Sequence, residues 1–413
     1  MLTKPAPAGS RRAEILETAA NVFAVSGVRA SLKDIADACG ILPGSIYFHF
    51  ESKEAIIVEL VQRYRDDLNR IAQQAHDQLT GPSLKPLSER IIEFGRAIAA
   101  CAVRHPAALL ITLFEPPTGA SEELRQLLRQ TPTAIHDAML DLLRTDSGGD
   151  TIRPSVDLAL LSDRLCESMM RHGVVDSSLG PQADRLPELR CRILLFGLAT
   201  EPPQAAELDR SEALQIAKEA VAGWQHEVSG NERLAHLLSV ARTEFARRGY
   251  EVATTREIAA ASGLSVGAVY RLFSSKNEML NAIMAGYGEH RKAAWNAVIR
   301  SSSSPLEKLD ALTWLYLKLL ESFTDEIRIQ FSLVRESPRS VRRIGPLPNL
   351  RDIEMLLKAG MKTGELRSYQ PIGDYARCVS EALWTPEGVF QAVGVERSHD
   401  LARNSVLSGA LLR

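Results

Sequence analysis

The stretch Ser31–Lys53, SLKDIADACGILPGSIYFHFESK, decides the fold of this 413-residue chain, because the chain writes it again at Thr254–Lys276 as TTREIAAASGLSVGAVYRLFSSK. The copies are identical at Ile35/Ile258, Ala36/Ala259, Ala38/Ala261, Gly40/Gly263, Gly44/Gly267, Tyr47/Tyr270, Phe50/Phe273, Ser52/Ser275 and Lys53/Lys276. Other pairs keep their chemistry, such as Lys33/Arg256 and Asp34/Glu257. Solenoid units recur every ~20–50 residues. Copies this far apart predict two whole domains of one kind.

Each copy reads as helix, glycine turn, helix. Ser31 and Thr254 stand at N-cap positions, with Asp34 and Glu257 at the capping-box spacing. Gly40 and Gly263 permit the tight turn. Ser265 is an N-cap for the second copy's next helix; Leu42 stands there in the first copy, followed by Pro43, which suits a first helical turn. A preceding helix, with Ile15, Ala19, Val22 and Phe23 at helical spacing, ends at Gly27, and Gly249 echoes it. Ile35, Ala36, Ile41, Ile46 and Phe50 are the expected core of the first three-helix unit. Helices are predicted over 10–26, 32–39, 43–50 and 52–79, with the same order repeated from 231.

Outside the copies the pattern stays helical. Proline and glycine breaks divide the first half into helices near 86–104, 107–114, 121–144, 154–173 and 184–199. The second half divides near 305–323, 325–335, 349–363, 371–384 and 397–412. This predicts an all-α fold of amphipathic bundles. The expected division is a first unit at 10–200 (head 11–60, body 61–200), a link at 201–230 holding a helix at 208–224, and a second unit at 231–413 (head 233–283, body 284–413). Ile152-Arg153-Pro154 and Leu366-Arg367 each follow a break and precede a late helix, so the repetition is expected to reach beyond the heads.

The composition, 45% apolar and 24% charged, is that of globular protein, and a net charge of −2 leaves any basic surface local. With no long apolar run and no apolar signal core in MLTKPAPAGSRR, no membrane span and a cytoplasmic location are expected. Cys39, Cys101, Cys166, Cys191 and Cys378 are dispersed, which argues against disulfides and a zinc site. The chain shows no phosphate loop, nucleophile elbow or metal-spaced cluster, so neither an enzyme nor a cofactor is expected.

A helix-turn-helix can place its second helix in the DNA major groove. An ordinary helical hairpin is the alternative for one copy; two copies with matching caps, turn glycine, Tyr and Lys favour DNA. At this point the residues resemble a known family. Gly44-Ser45-Ile46-Tyr47-Phe48-His49-Phe50 with Ser52-Lys53-Glu54, and Gly267-Ala268-Val269-Tyr270-Arg271-Leu272-Phe273 with Ser275-Lys276-Asn277, are similar to the DNA-binding heads of TetR-type (TetR/AcrR) regulators. The resemblance covers 11–60 and 233–283.

The resemblance implies roles for named residues. Lys33 and Arg256 would reach a base edge or phosphate, and Arg256 is the stronger reader because Arg–guanine contact is the commonest specific pairing. Pro43, Gly44 and Ser45, with Val266, Gly267 and Ala268, would lie on the groove floor. Tyr47, His49 and Tyr270 would contact phosphates, as would Lys53 and Lys276 at helix N-termini. Ser31, Thr254, Thr255, Ser265 and Arg271 complete the expected DNA-facing set. Because Arg271 replaces Phe48 and Leu272 replaces His49, the copies are expected to read unlike half-sites of a double-stranded operator.

Two heads in one chain would form an intramolecular pseudo-dimer through their late helices; dimerisation of the whole chain stays open. The arrangement is similar to double-TetR regulators of lipid-uptake operons, which implies a repressor released by a small apolar, lipid- or sterol-like effector in a bacterial cytoplasm. Candidate effector contacts are Phe94, His105 and Phe114 in the first body. In the second they are Trp295, Trp314, Tyr316, Phe323, Phe331, Trp384 and Phe390. The competing reading is a regulator-like interaction protein in which one or both heads no longer bind DNA.

Overall fold

The structure, a computed structural model, describes residues 11–79, 85–112, 120–130, 132–145, 151–175, 185–224, 232–336 and 350–412. The first half is built from α1 (Arg11–Ser26), α2 (Leu32–Ala38), α3 (Pro43–Ile46), α4 (Lys53–Leu79), α5 (Leu87–Arg104), α6 (Pro106–Thr112), α7 (Glu122–Arg129), α8 (Thr133–Leu143), α9 (Leu158–Val175) and α10 (Leu186–Phe196). After α11 (Ala205–Leu208) and α12 (Glu212–Gly223), the second half runs α13 (Glu232–Arg248), α14 (Thr255–Ala261), α15 (Val266–Leu272), α16 (Lys276–Arg300), α17 (Pro305–Ser322), α18 (Thr324–Glu336), α19 (Leu350–Thr363), α20 (Ile372–Ala382) and α21 (Glu387–Ala402). The fold is all-α, and the described residues add two isolated β-bridges, Ile152 with Leu411 and Ala199 with Leu366.

Three expected helices are corrected. The span 121–144 is two helices, because Pro132 starts α8. The span 43–50 is a single turn, α3. The span 397–412 does not end in helix: α21 begins at Glu387, kinks at Gly394, and gives way to an extended tail after Gly409, whose φ is +81°. Among the described residues no single helix is long and apolar enough to cross a membrane; α5 and α6 pass that test only together, across a 96° bend.

One apolar core runs through the first head and both bodies, from Ile15 and Phe23 through Ile98 and Leu165 to Leu312 and Leu407. The second head keeps a core of its own, Leu237, Phe245, Ile258, Val269, Phe273 and Met279, entered by Ile329 from α18. Helix α18 also packs on α13 and on the turn Gly27–Arg29 of the first head, so it touches both heads. The heads meet there directly through an Arg29–Glu251 ion pair.

The link helix α12 packs between α16 and α17 of the second half. Ser211 caps it, the Ala213 N–H donates to Ser303 Oγ at 2.9 Å, and Trp224 sets its edge on Phe323. Nearby, the buried Asp310 carboxylate accepts from Arg403 Nε and Nη2, both at 2.8 Å, and lies 2.9 Å from His399 Nε2. Arg403 Nη1 reaches back to Asp209 at 2.8 Å, tying the last turn of the chain to the link.

The two halves meet about a local two-fold relation. The Leu198 and Ala199 N–H groups donate to the Val406 and Leu407 carbonyls; reciprocally, Ala410 and Leu411 donate to Leu194 and Leu195. Arg153 donates to Ala410 and Arg367 to Leu198; Leu412 donates to Thr151 and Thr200 to Glu365. This is the reciprocity of an isologous interface. Gly197 and Gly409 sit at its centre with φ of +76° and +81°, and a Cβ on Gly197 would fall 2.5 Å from the Gly409 nitrogen. Around it α9 and α10 pack on α21 and α20 respectively. Arg164 is buried with its guanidinium on the Ala382 carbonyl, at the α20 C-terminus where a helix dipole favours a cation. Arg190 pairs with Glu381. The early hint in Ile152-Arg153 and Leu366-Arg367 therefore marks equivalent strands of this contact.

Candidate nucleic-acid interface

Both heads are built by the same local chemistry. Each has a complete capping box: Asp34 N–H donates to Ser31 Oγ and Ser31 N–H to the Asp34 carboxylate; Thr254 and Glu257 repeat it. Those hydrogen bonds hold both carboxyls below their usual range. Glu257 falls to about 2, first through the Thr254 backbone and hydroxyl donors and then through Arg248 at 2.6 Å. Gly40 and Gly263 make the turn at φ +65° and +68°, where an L side chain is strained.

The presenting helices differ. In the second head Ser265 Oγ accepts from the Ala268 N–H, and α15 runs for two turns. Leu42 offers no acceptor, and α3 closes after one turn, with a tight His49-to-Ile46 backbone bond replacing further helix. The outward surfaces differ too. Phe48 is 87% exposed and Leu42 77%, an apolar tip on the first head. Its counterpart Arg271 is exposed. Phe48 and Leu42 were absent from the sequence-derived set, although Phe48 stands opposite Arg271 in the repeat.

Most other expected residues face outward. Ser31, Lys33, Pro43, Gly44, Thr254, Arg256, Ser265, Val266 and Gly267 are exposed, and Ser45, His49 and Thr255 are half-buried. Tyr47 and Tyr270 are 60% and 53% exposed, so neither ring is a core residue. Three residues have surroundings the sequence did not suggest. Ala268 is buried in the head. Lys276 Nζ donates to the carbonyls of Tyr250, Glu251 and Ala253 and sits over the Tyr250 ring, so its three N–H donors are spent on the loop after α13. Lys53 Nζ does the same to Val28 at 2.9 Å. Both lysines hold a loop rather than project from a helix end.

Gly44 and Gly267 carry the strongest signal. Neither has a left-handed backbone, and a Cβ at either would meet no atom within 4 Å. Among the described residues nothing requires glycine there, yet both copies have it, on the exposed face of the presenting helix.

The effector candidates sort into groups. Trp295, Tyr316, Trp384 and Phe331 form a continuous aromatic run through the second body, with centroid steps of 6.0, 5.8 and 6.3 Å. The Trp384 indole N–H is sealed from solvent without an acceptor among the described residues, whereas Trp295 donates to Asp352. Phe323 belongs to a separate group with Trp224, Tyr287 and His290. Trp314 is half-buried under Lys318, and Phe94 and Phe390 are buried in the shared core. His105 is bonded to Asp67. Phe114 lies outside the described residues.

Two capped helix-turn-helix heads thus stand on one helical frame. The pattern of the bacterial regulatory proteins, tetR family, matches residues 15–60 and 237–283. The chain is 32% identical over 153 residues to the HTH-type transcriptional repressor KstR2 of Mycobacterium tuberculosis (strain ATCC 25618 / H37Rv), covering 37% of this chain and 74% of that one. It belongs to the tetR family. It is 52% identical over 59 residues to KstR2 of Rhodococcus jostii (strain RHA1), a match spanning 14% of this chain and only 29% of the relative. A solved structure of the ketosteroid transcriptional regulator KstR2 of Mycobacterium tuberculosis aligns with a TM-score of 0.37 at 22% identity, over 45% of this chain and 97% of that one. Both curated relatives are named as transcriptional repressors.

Proposed function

We propose that the protein is a ligand-released transcriptional repressor whose two heads read unlike half-sites of one asymmetric operator. The observation that carries this reading is the glycine pair Gly44/Gly267, kept where only an external surface would collide with a side chain. Close approach to a groove is such a requirement. The flanking surfaces then divide the work. Arg256 and Arg271 give the second head cationic readers for base edges and phosphates, and Phe48 and Leu42 give the first head apolar contact with thymine methyls and sugars. Repression as the sign follows the names of the two relatives above.

The reciprocal contact between the halves supports an intramolecular pseudo-dimer, with units divided near 200 and 231. The aromatic run in the second body supports a small, largely apolar effector carrying one acceptor for the Trp384 N–H. Phe331 of that run lies on α18, which bears on both heads. One bound effector would thus shift both readers, and a coupling of about 1–3 kcal/mol changes operator affinity roughly 5–150-fold. Footprinting on the chain's own upstream region, with the mass of the complex measured in solution, tests this. The expected result is an asymmetric protected site holding one chain. A palindrome holding two chains overturns the pseudo-dimer; no salt-dependent DNA binding at all overturns the whole reading and favours the interaction protein.

A further inference from the structure

The bend between α5 and α6 brings together three side chains that the repeat does not explain. Cys101 and His105 lie one helical turn apart at the end of α5, and α4 supplies Asp67 opposite them. Their ligand atoms all lie within 4.8 Å of one another. Sulfur, imidazole nitrogen and carboxylate oxygen form the mixed donor set that zinc-class ions take, with three protein ligands leaving one position open. We propose that Asp67, Cys101 and His105 bind one divalent transition-metal ion of the zinc class, between the first body and the first head.

The surroundings are those of a metal site. Asp67 presents Oδ2 to His105 Nε2 at 2.8 Å while its Oδ1 is held by Arg70 Nη2 at 2.6 Å, so one oxygen is oriented and the other faces the cluster. Arg104 Nη2, 3.8 Å from the same Oδ2, is the competing cation; its side chain is more than half exposed and can swing into water as an ion enters. A second observation comes from Tyr64. Its ring packs 5.7 Å from the His105 ring, and its hydroxyl is buried without a hydrogen-bond partner among the described residues. A fourth, water-derived ligand on the ion would give that hydroxyl an acceptor. The dispersed cysteines argued against a zinc site in the sequence; Asp67 comes from a different helix, and its approach to Cys101 and His105 exists only in the fold.

The place of the site gives it consequence. Helix α6 begins at Pro106, directly after His105, and packs on both α4 and α1. An ion here clamps the helix leaving the first head to the corner of the body. The inference is independent of what the heads bind. The test is titration of the full chain with Co²⁺, in a Cys39→Ser background that removes the half-exposed thiol, followed by optical absorption. A thiolate-to-cobalt charge-transfer band saturating at one ion per chain, displaced by Zn²⁺ and abolished by Cys101→Ser, supports the site. Asp67→Asn and His105→Gln are near-isosteric or polar changes at partly buried residues; with folding verified by circular dichroism, each should weaken Co²⁺ binding ~10-fold or more. No band, a band that persists with Cys101→Ser, or unchanged affinity in both of the other variants overturns it.

Discussion

Gly44 and Gly267 separate folding from function at single atoms. Alanine at either position meets open space and an ordinary backbone, so it should stabilise the head by about 0.5–1 kcal/mol through the lower helix cost of alanine. The same methyl group should weaken operator binding. Thermal melts and DNA titrations on one preparation measure both; a variant that binds DNA as tightly as the parent would remove the close-approach argument. Phe48 and Arg271 test the division between the heads. Arg271→Ala should lower the slope of log affinity against log salt by about one, and Phe48→Ala should leave it unchanged. Lys53 and Lys276 show where residue-level reading stops. An ammonium near a helix N-terminus has the same sequence signature whether it meets a phosphate or a carbonyl, and here both ammonium groups donate to loop carbonyls of the head itself.

Among elements, the ones written by their caps were legible. Ser31 with Asp34 and Thr254 with Glu257 placed α2 and α14, and both boxes are present in the structure. The length of α3 was not legible, because proline and a periodic apolar pattern say where a helix can begin but not whether its first N–H groups are satisfied. The missing acceptor at Leu42 is the physical difference between α3 and α15. Ser265→Ala should therefore cost the second head about 1 kcal/mol, and Leu42→Ser should gain a comparable amount and extend α3, read by amide exchange along 43–49. The tail after α21 was misread as helix for a related reason: its backbone partners lie in the other half of the chain. A different kind of element, the buried Asp310–Arg403–His399 group, makes a pH prediction. Burial opposes ionisation of Asp310, but the hydrogen bonds from Arg403 and His399 hold its carboxyl below the usual 3.8. A depressed carboxyl contributes stability above its unfolded value that is lost as pH falls through the folded value. Acid should thus loosen the C-terminal turn only below about pH 3.8. Arg403→Met, which strands the Asp310 charge, should cost about 3–5 kcal/mol at neutral pH.

At the scale of the whole molecule, the contact around Gly197 and Gly409 organises everything else. An added Cβ at Gly409 would fall 2.4 Å from the Phe196 carbonyl carbon, in a left-handed conformation. Gly409→Ala should therefore destabilise the chain by ~1–3 kcal/mol and act on both halves at once, whereas Gly364→Ala, left-handed but in open space, should carry only the conformational part. Comparing their melting temperatures separates the two terms. Glycine stands at both positions that meet across the two-fold contact, while the equivalent positions Phe48 and Arg271 differ. Because the contact is closed within a single polypeptide, it cannot be undone by dilution. Partners that meet by diffusion occupy a shared site in proportion to the square of their concentration when they are scarce. Under the proposed reading of one chain per operator, occupancy rises with the first power, so a cell holding only a few copies would still present both readers together.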